Sequence, residues 1–360
     1  MSTALLAAFD QQQRWCLGNG APFSGRVLGA AARWLHENRA PHDRLAAIAA
    51  IADDPAAAAV PLRLLAGLHQ LALQGLQPWS TLWPPAAAPA DDKALQAAVA
   101  LAFVAQGGTL QRALAWPPQT NEVQRSAVLL PGLLHIAQRT GLPLALMEIG
   151  ASAGLNLWAD CHRLQTDAWA WGRADAPLVL QPGWRGPAPQ GLSGVALDIR
   201  RRAACDVQPI DLAAAGEDLL LESYVWADQP ERLQRLRIAI GVARTQMAVQ
   251  NVSVQRASAV DFVQQQLAQR RPGQAWVLMH SVMWQYMPAG EQLAITALMQ
   301  AAAATATPDA PLAWLRLEPP QPSQAMELRC QRWPTGADLL LARAHPHGAW
   351  VEWLADAAAP

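Results

Sequence analysis

The sequence predicts an α/β protein: a doubly wound, mainly parallel sheet with an antiparallel C-terminal edge, preceded by an all-α N-terminal region. Three observations carry this prediction. About the first 140 residues are Ala/Leu-rich, with apolar positions at helical spacing and few β-branched residues. From residue 143 onward, short apolar runs alternate with helical stretches, the pattern of parallel strands and their crossovers. After residue 325 the runs follow one another across short turns, as antiparallel strands do.

In chain order, GRVLGAAARWLHEN (25–38), DRLAAIAAIADD (43–54), PLRLLAGLHQLALQG (61–75) and DDKALQAAVALAFVAQ (91–106) read as helices. The Pro-rich WPPAAAPADD (83–92) between two of them reads as a linker. PLALMEIG (143–150) is an apolar run ending in Gly, as a buried parallel strand should be. NVSVQRASA (251–259), QAWVLMHS (274–281) and PLAWLRLEPP (311–320) are similar, separated by helical stretches near 230–248, 259–270 and 288–304. MELRCQRW, ADLLLARA and AWVEWL, joined through PTG and HPHG, form the antiparallel edge. The expected division is a helical region over 1–118 and a sheet domain over 119–360.

Composition narrows the function classes. At 360 residues, with 52% hydrophobic and 15% charged residues, the chain can bury a large core without disulfide or metal staples. A formal net charge of −1 gives no electrostatic reason to expect nucleic acid or an anionic membrane as partner. Lys93 is the single lysine; with the abundant alanine and proline this reads as codon bias. Cys16, Cys161, Cys205 and Cys330 are scattered without a C-x-x-C pair and read as free thiols. The N-terminus lacks a basic n-region, and the longest uncharged run, 64–90, is broken by prolines. Neither a signal peptide nor a membrane span is expected, and the expected compartment is the cytoplasm.

The stretch EIGASAGLNL (148–157) admits two chemistries. Gly150-Ala151-Ser152-Ala153-Gly154 fits G-x-S-x-G, the nucleophile elbow of serine hydrolases, with His345 or His347 downstream as base. It equally fits a glycine loop that follows a strand and wraps a cofactor. Against the elbow, its strand comes first in the sheet domain, no HGGG-like segment lies upstream, and Glu148 has no role in an elbow. In the cofactor reading, Glu148 orders the loop or accepts from a ligand amine. Gly150 allows a sharp turn, Gly154 a close approach, and Ser152 is small enough for the loop. The following helix would offer free N–H groups.

LALMEIGASAGLNL resembles the first motif of the class I, Rossmann-like, S-adenosylmethionine-dependent methyltransferases. More narrowly, PPQTNEVQRSAVLLPGL, EIGASAGLNLWAD, CDVQPIDL, ESYVWADQPERLQRLR and HSVMWQYMP resemble an uncharacterised bacterial family, domain of unknown function 2332, across most of the chain. The broader resemblance implies a Rossmann-like domain and S-adenosylmethionine bound by Glu148, Gly150, Ser152, Gly154 and Asn156. It implies an acid for the ribose at the end of the second strand. Asp206 is the candidate, with Asp198 and Asp211 as rivals, although it lies more than fifty residues beyond the loop. The residues between would be an insertion, such as a hairpin.

The remaining candidates each have a plainer reading beside the functional one. Ser258 or Asp261 can meet an adenine or cap a helix. Asn121, Glu122 and Arg125 can roof the pocket, Arg125 toward a carboxylate, or simply start a helix. Asp228, before Gln229-Pro230-Glu231, reads as the cap of the helix it precedes. Tyr224 and Tyr286, the two tyrosines of the chain, are catalytic candidates beside His280. His280 and Tyr286 follow the fourth strand, where open α/β sheets place ligands. His280 can serve as a general base or as a packed core histidine. His345 and His347 read as a turn, and no metal site is expected. The expectation is a methyltransferase acting on a small molecule. The alternatives are a catalytically silent methyltransferase-like binding or regulatory module and a serine hydrolase using Ser152.

Overall fold

A computed structural model of the chain describes residues 3–38, 54–85, 91–115, 118–321 and 324–355. The chain divides into two compact units, one of Met1–Thr120 with Ala214–Arg237, the other of Asn121–Ala213 with Ile238–Pro360. The helical unit thus takes in 214–237, which the linear reading assigned to the sheet domain.

In the helical unit, α1 (Thr3–Gly18), α2 (Pro22–Glu37), α3 (Val60–Leu73), α4 (Asp92–Ala105) and α5 (Gly107–Ala115) precede the sheet domain. The expected helix 43–54 lies almost wholly outside the described residues. Leu28 and Leu35 of α2, Leu64, Leu68 and Leu71 of α3, and Leu95 and Val99 of α4 share one buried core. Trp34 stacks on Phe103 with ring centroids 4.3 Å apart.

Asp228 departs from the expected role. Its carboxylate accepts from the Phe23 N–H at 2.8 Å, the Ser24 N–H at 2.9 Å and the Ser24 hydroxyl at 2.6 Å. It therefore caps α2, whose own flanking residue Ala21 has no side-chain oxygen to offer. Asp228→Ala is expected to cost about 2 kcal/mol, the upper end for a lost cap, because three charge-assisted bonds go at once. Denaturant unfolding of both proteins measures it.

The second unit contains α6 (Ser126–Thr140) and the strands β1 (Leu144–Ile149), β2 (Arg163–Gln165), β3 (Ala170–Trp171), β4 (Val179–Leu180), β5 (Gly183–Arg185) and β6 (Ile199–Asp206). After α7 (Glu217–Ser223) in the helical unit comes α8 (Pro230–Gln250), followed by β7 (Val254–Arg256), α9 (Ala259–Leu267), β8 (Ala275–Ser281), α10 (Ala289–Ala303) and β9 (Leu312–Glu318). β10 (Met326–Trp333), β11 (Asp338–Ala344) and β12 (Trp350–Trp353) close the chain. Among the described residues, nine strands form one sheet in the order β5-β12-β11-β10-β9-β8-β1-β6-β7. Pairing is parallel from β7 through β9, antiparallel from β9 to β12, and parallel again at β5.

The expected insertion before Asp206 is more than a hairpin. Among the described residues, β2, β3 and β4 make a separate three-stranded sheet, and β5 adds to the edge of the large one.

Alternation along the strands fills the two faces differently. Ala145, Met147 and Ile149 of β1, Trp276 and Leu278 of β8, and Trp314 of β9 join Phe262 and Val263 of α9 and Ile295 and Met299 of α10 in one core. The opposite face packs against α6. There a Cβ on Gly132 would come within 2.8 Å of the end of the Leu315 side chain, so a larger residue would have to displace that leucine. Among the described residues, no helix is long and apolar enough to cross a membrane.

Candidate functional site

The loop after β1 is built around three left-handed residues: Gly150 at φ +63°, Ser152 at +54° and Gly154 at +72°. Such angles favour glycine, and Ser152 tolerates one because its neighbours hold it. The Ser152 N–H donates to Asp206 Oδ2 at 2.8 Å, and its carbonyl accepts from the Ile210 N–H at 3.2 Å. Asp206, the last residue of β6, accepts from the Gln208 N–H on its other oxygen at 2.8 Å. Asp206 therefore ties its strand end to the loop. Of its rivals, Asp198 pairs on the surface with Arg200, and Asp211 accepts from the Ala213 N–H in an exposed turn.

Both glycines are required by the packing of the protein itself. A Cβ on Gly150 would lie 2.8 Å from Met283 Cγ, and one on Gly154 would lie 2.9 Å from Val254 and 3.0 Å from Met247. Gly154→Val combines a left-handed branched residue with these contacts. It is expected to cost about 3 kcal/mol, from strain of about 1–2 and overpacking of about 1–3. Urea unfolding checks this.

The loop runs into a 3₁₀ segment, Leu155–Cys161, and not into the expected α-helix. Its side chains are committed elsewhere. Asn156 accepts from the Ser126 hydroxyl at 2.8 Å, Asp160 pairs with buried Arg202 at 2.6 Å, and Trp158 leaves helical geometry. Asn121 secures the start by accepting from the Leu155 N–H at 3.2 Å. Asn121 and Asn156 are thus clamps on the loop.

Glu148 sits at the base of the loop and is 2% exposed. Its Oε2 is buried with no hydrogen-bond partner. Burial, and secondarily the neighbouring Asp206 charge, pushes its carboxyl up to about 8. At neutral pH Glu148 is mainly the protonated acid, a donor as well as an acceptor.

His280 lies near the end of β8, on the opposite face. Glu148 is in register with Met279, so His280, one residue on, points to the α9–α10 side. It is 1% exposed and stacks on Trp284 at 5.1 Å. Its Nδ1 is 2.7 Å from Oε1 of Glu318, the last residue of β9. His280 Nε2 and Glu318 Oε2 are both buried without a partner. Met283, in the turn after β8, bridges the two halves by covering Gly150.

The other predicted residues separate from this cluster. Ser258 caps α9 and also donates its hydroxyl to Asp261 at 2.8 Å. Arg125 donates to the Pro346 carbonyl at 3.0 Å. Tyr286 is 77% exposed. Tyr224 belongs to the helical unit, where burial, then the Glu217 charge, pushes its hydroxyl up to about 12 against the pull of Arg63. The adjacent Trp226, with His69, Trp83 and Arg237, lines a half-open cavity of about 540 Å³ in that unit. Glu318 is not among the residues that the sequence singles out; the available signal was an acid at the end of an apolar run.

An elbow serine exposes its hydroxyl to substrate. Ser152 is only 6% exposed, so a fluorophosphonate probe is expected to leave it unlabelled; labelling lost in Ser152→Ala would reverse that reading.

The chain matches no curated protein and no solved structure. Over residues 6–353 it matches the family described as uncharacterized protein conserved in bacteria (DUF2332), and to that family it belongs.

Proposed function

We propose that this protein is an S-adenosylmethionine-dependent methyltransferase acting on a small molecule, with a Rossmann-like sheet as scaffold. Its parallel strands, counted in chain order, run 3-2-1-4-5 across β7, β6, β1, β8 and β9. That is the doubly wound order, in which ligands bind beyond the carboxyl ends of the strands where the order reverses. The reversal falls between β1 and β8, flanked by the glycine loop and the turn that carries Met283.

The observation that carries the reading is the orphaned Glu148 oxygen. A buried polar atom without a partner is costly, and a ligand N–H or O–H at this position would relieve that cost. The residues fit the cofactor at this point: Glu148 toward its amine, and Asp206 with the lone pairs its two amide contacts leave toward a ribose diol. Gly150 and Gly154 serve the loop's packing, and Asn121, Ser126 and Asn156 hold the loop in place. S-adenosylmethionine supplies an electrophilic methyl carbon when bound. The chain would position an acceptor in line with it, and His280 would take the acceptor's proton.

One observation favours a binding module without catalysis: His280 is walled in by Trp284 and Trp314. Titration with S-adenosylmethionine and S-adenosylhomocysteine tests binding. Consumption of labelled cofactor in metabolite extracts then separates an enzyme from a module.

A further inference from the structure

Oε1 of Glu318 receives three groups at once: His280 Nδ1 at 2.7 Å, the Met283 N–H at 3.1 Å and the Trp284 N–H at 3.3 Å. Two of these are amides that can only donate, so the oxygen is fixed as an acceptor. The Nδ1 that faces it must therefore carry a proton. In the neutral ring, Nε2 is then the nitrogen with the lone pair, and it is the ring atom without a protein partner.

The same oxygen anchors a strained turn. Val282 has φ +51°, an outlier for a β-branched residue, and such strain persists only where surrounding contacts impose it. Here they do so on both sides: the Val282 N–H donates to the Leu317 carbonyl at 3.0 Å, and the next two amides donate to Glu318. This turn delivers Met283 to Gly150 and Trp284 to the face of the His280 ring.

We propose that Glu318 is the positioning residue of this site: through one oxygen it sets the His280 tautomer, leaving Nε2 as the proton acceptor, and locks the Val282–Trp284 turn over the glycine loop. The proposal rests on the reading of His280 as the base, but its arrangement can be tested without cofactor or substrate.

Nitrogen NMR of the full chain labelled at histidine reports which ring nitrogen is protonated, with the His280 signals assigned by their loss in His280→Asn. The expected result is Nδ1–H with an unprotonated Nε2 at a pH where the ring is neutral. Glu318→Gln keeps an oxygen acceptor and is expected to retain that tautomer. Glu318→Leu removes it, and the ring is expected to revert to the Nε2–H form that free imidazole side chains prefer. An Nε2–H tautomer in the parent overturns the proposal. So does a Glu318→Leu protein that folds and keeps the parent spectrum, because Glu318 would then only pack. Should Glu318→Leu not fold, the parent and Glu318→Gln spectra decide: Nε2–H in either contradicts it, and Nδ1–H in both upholds it. Failure of cofactor binding with the Nδ1–H tautomer intact would remove the methyltransferase reading and leave the role of Glu318 standing.

Discussion

Glu148→Gln is expected to flatten the dependence of stability on pH. In the folded protein the Glu148 carboxyl is pushed up to about 8 from its ordinary value of 4.5, first by burial and then by Asp206. A raised carboxyl means that the folded state holds this proton more tightly than the unfolded one. Its contribution is fully present below about 4.5, is lost as pH rises toward 8, and stays lost above that. Within this window the slope from one group is at most about 1.4 kcal/mol per pH unit. Glutamine keeps the shape and cannot ionise. The variant should therefore be the more stable protein at pH 9, and the gap should narrow toward pH 5. Denaturant unfolding across that range reads both effects. Parallel curves would show that Glu148 does not bury a proton.

For the methyltransferase proposed above, His280→Ala is expected to slow methyl transfer by about 10²–10⁴-fold, the usual contribution of a general base, while cofactor affinity stays near that of the parent. The separation is expected because His280 points to the face opposite Glu148 and the loop clamps. Tyr286→Phe serves as the paired measurement. Its ring is largely in solvent, so loss of its hydroxyl should leave folding untouched, and any change in turnover then reports on substrate contact. If His280→Ala turns over like the parent, the residue is a packed core histidine. If it loses stability and cofactor affinity together, its role is structural.

The strands that frame the site were readable because their chemistry is local. β1, β8 and β9 are apolar runs of six or seven residues, almost wholly buried, as central parallel strands are. β10 to β12 announced themselves by turns. β2 to β5 did not, since strands of two or three residues carry too little pattern to recognise. The glycine loop was readable for the same local reason, through Gly150 and Gly154. What remained hidden is contact between residues distant in sequence. Asp228 lies in a sequence that fits a cap for its own helix, yet its partners are Phe23 and Ser24, more than 200 residues away. Glu318 looked like a strand end before two prolines; its meaning comes from His280, 38 residues earlier. In the 3₁₀ segment after Gly154, Ser126 and Arg202 hold Asn156 and Asp160, contacts that no helical propensity foretells.

The most direct test of the central claim is calorimetric titration of the full chain with S-adenosylmethionine and S-adenosylhomocysteine, with thermal unfolding in parallel. The expected result is saturable binding at one site per chain and a stabilisation that grows with ligand, about 2.7 kcal/mol at one hundred times Kd. Gly154→Val, folded at low temperature, should lose that binding. No heat and no thermal shift with either ligand would show that the glycine loop does not hold this cofactor.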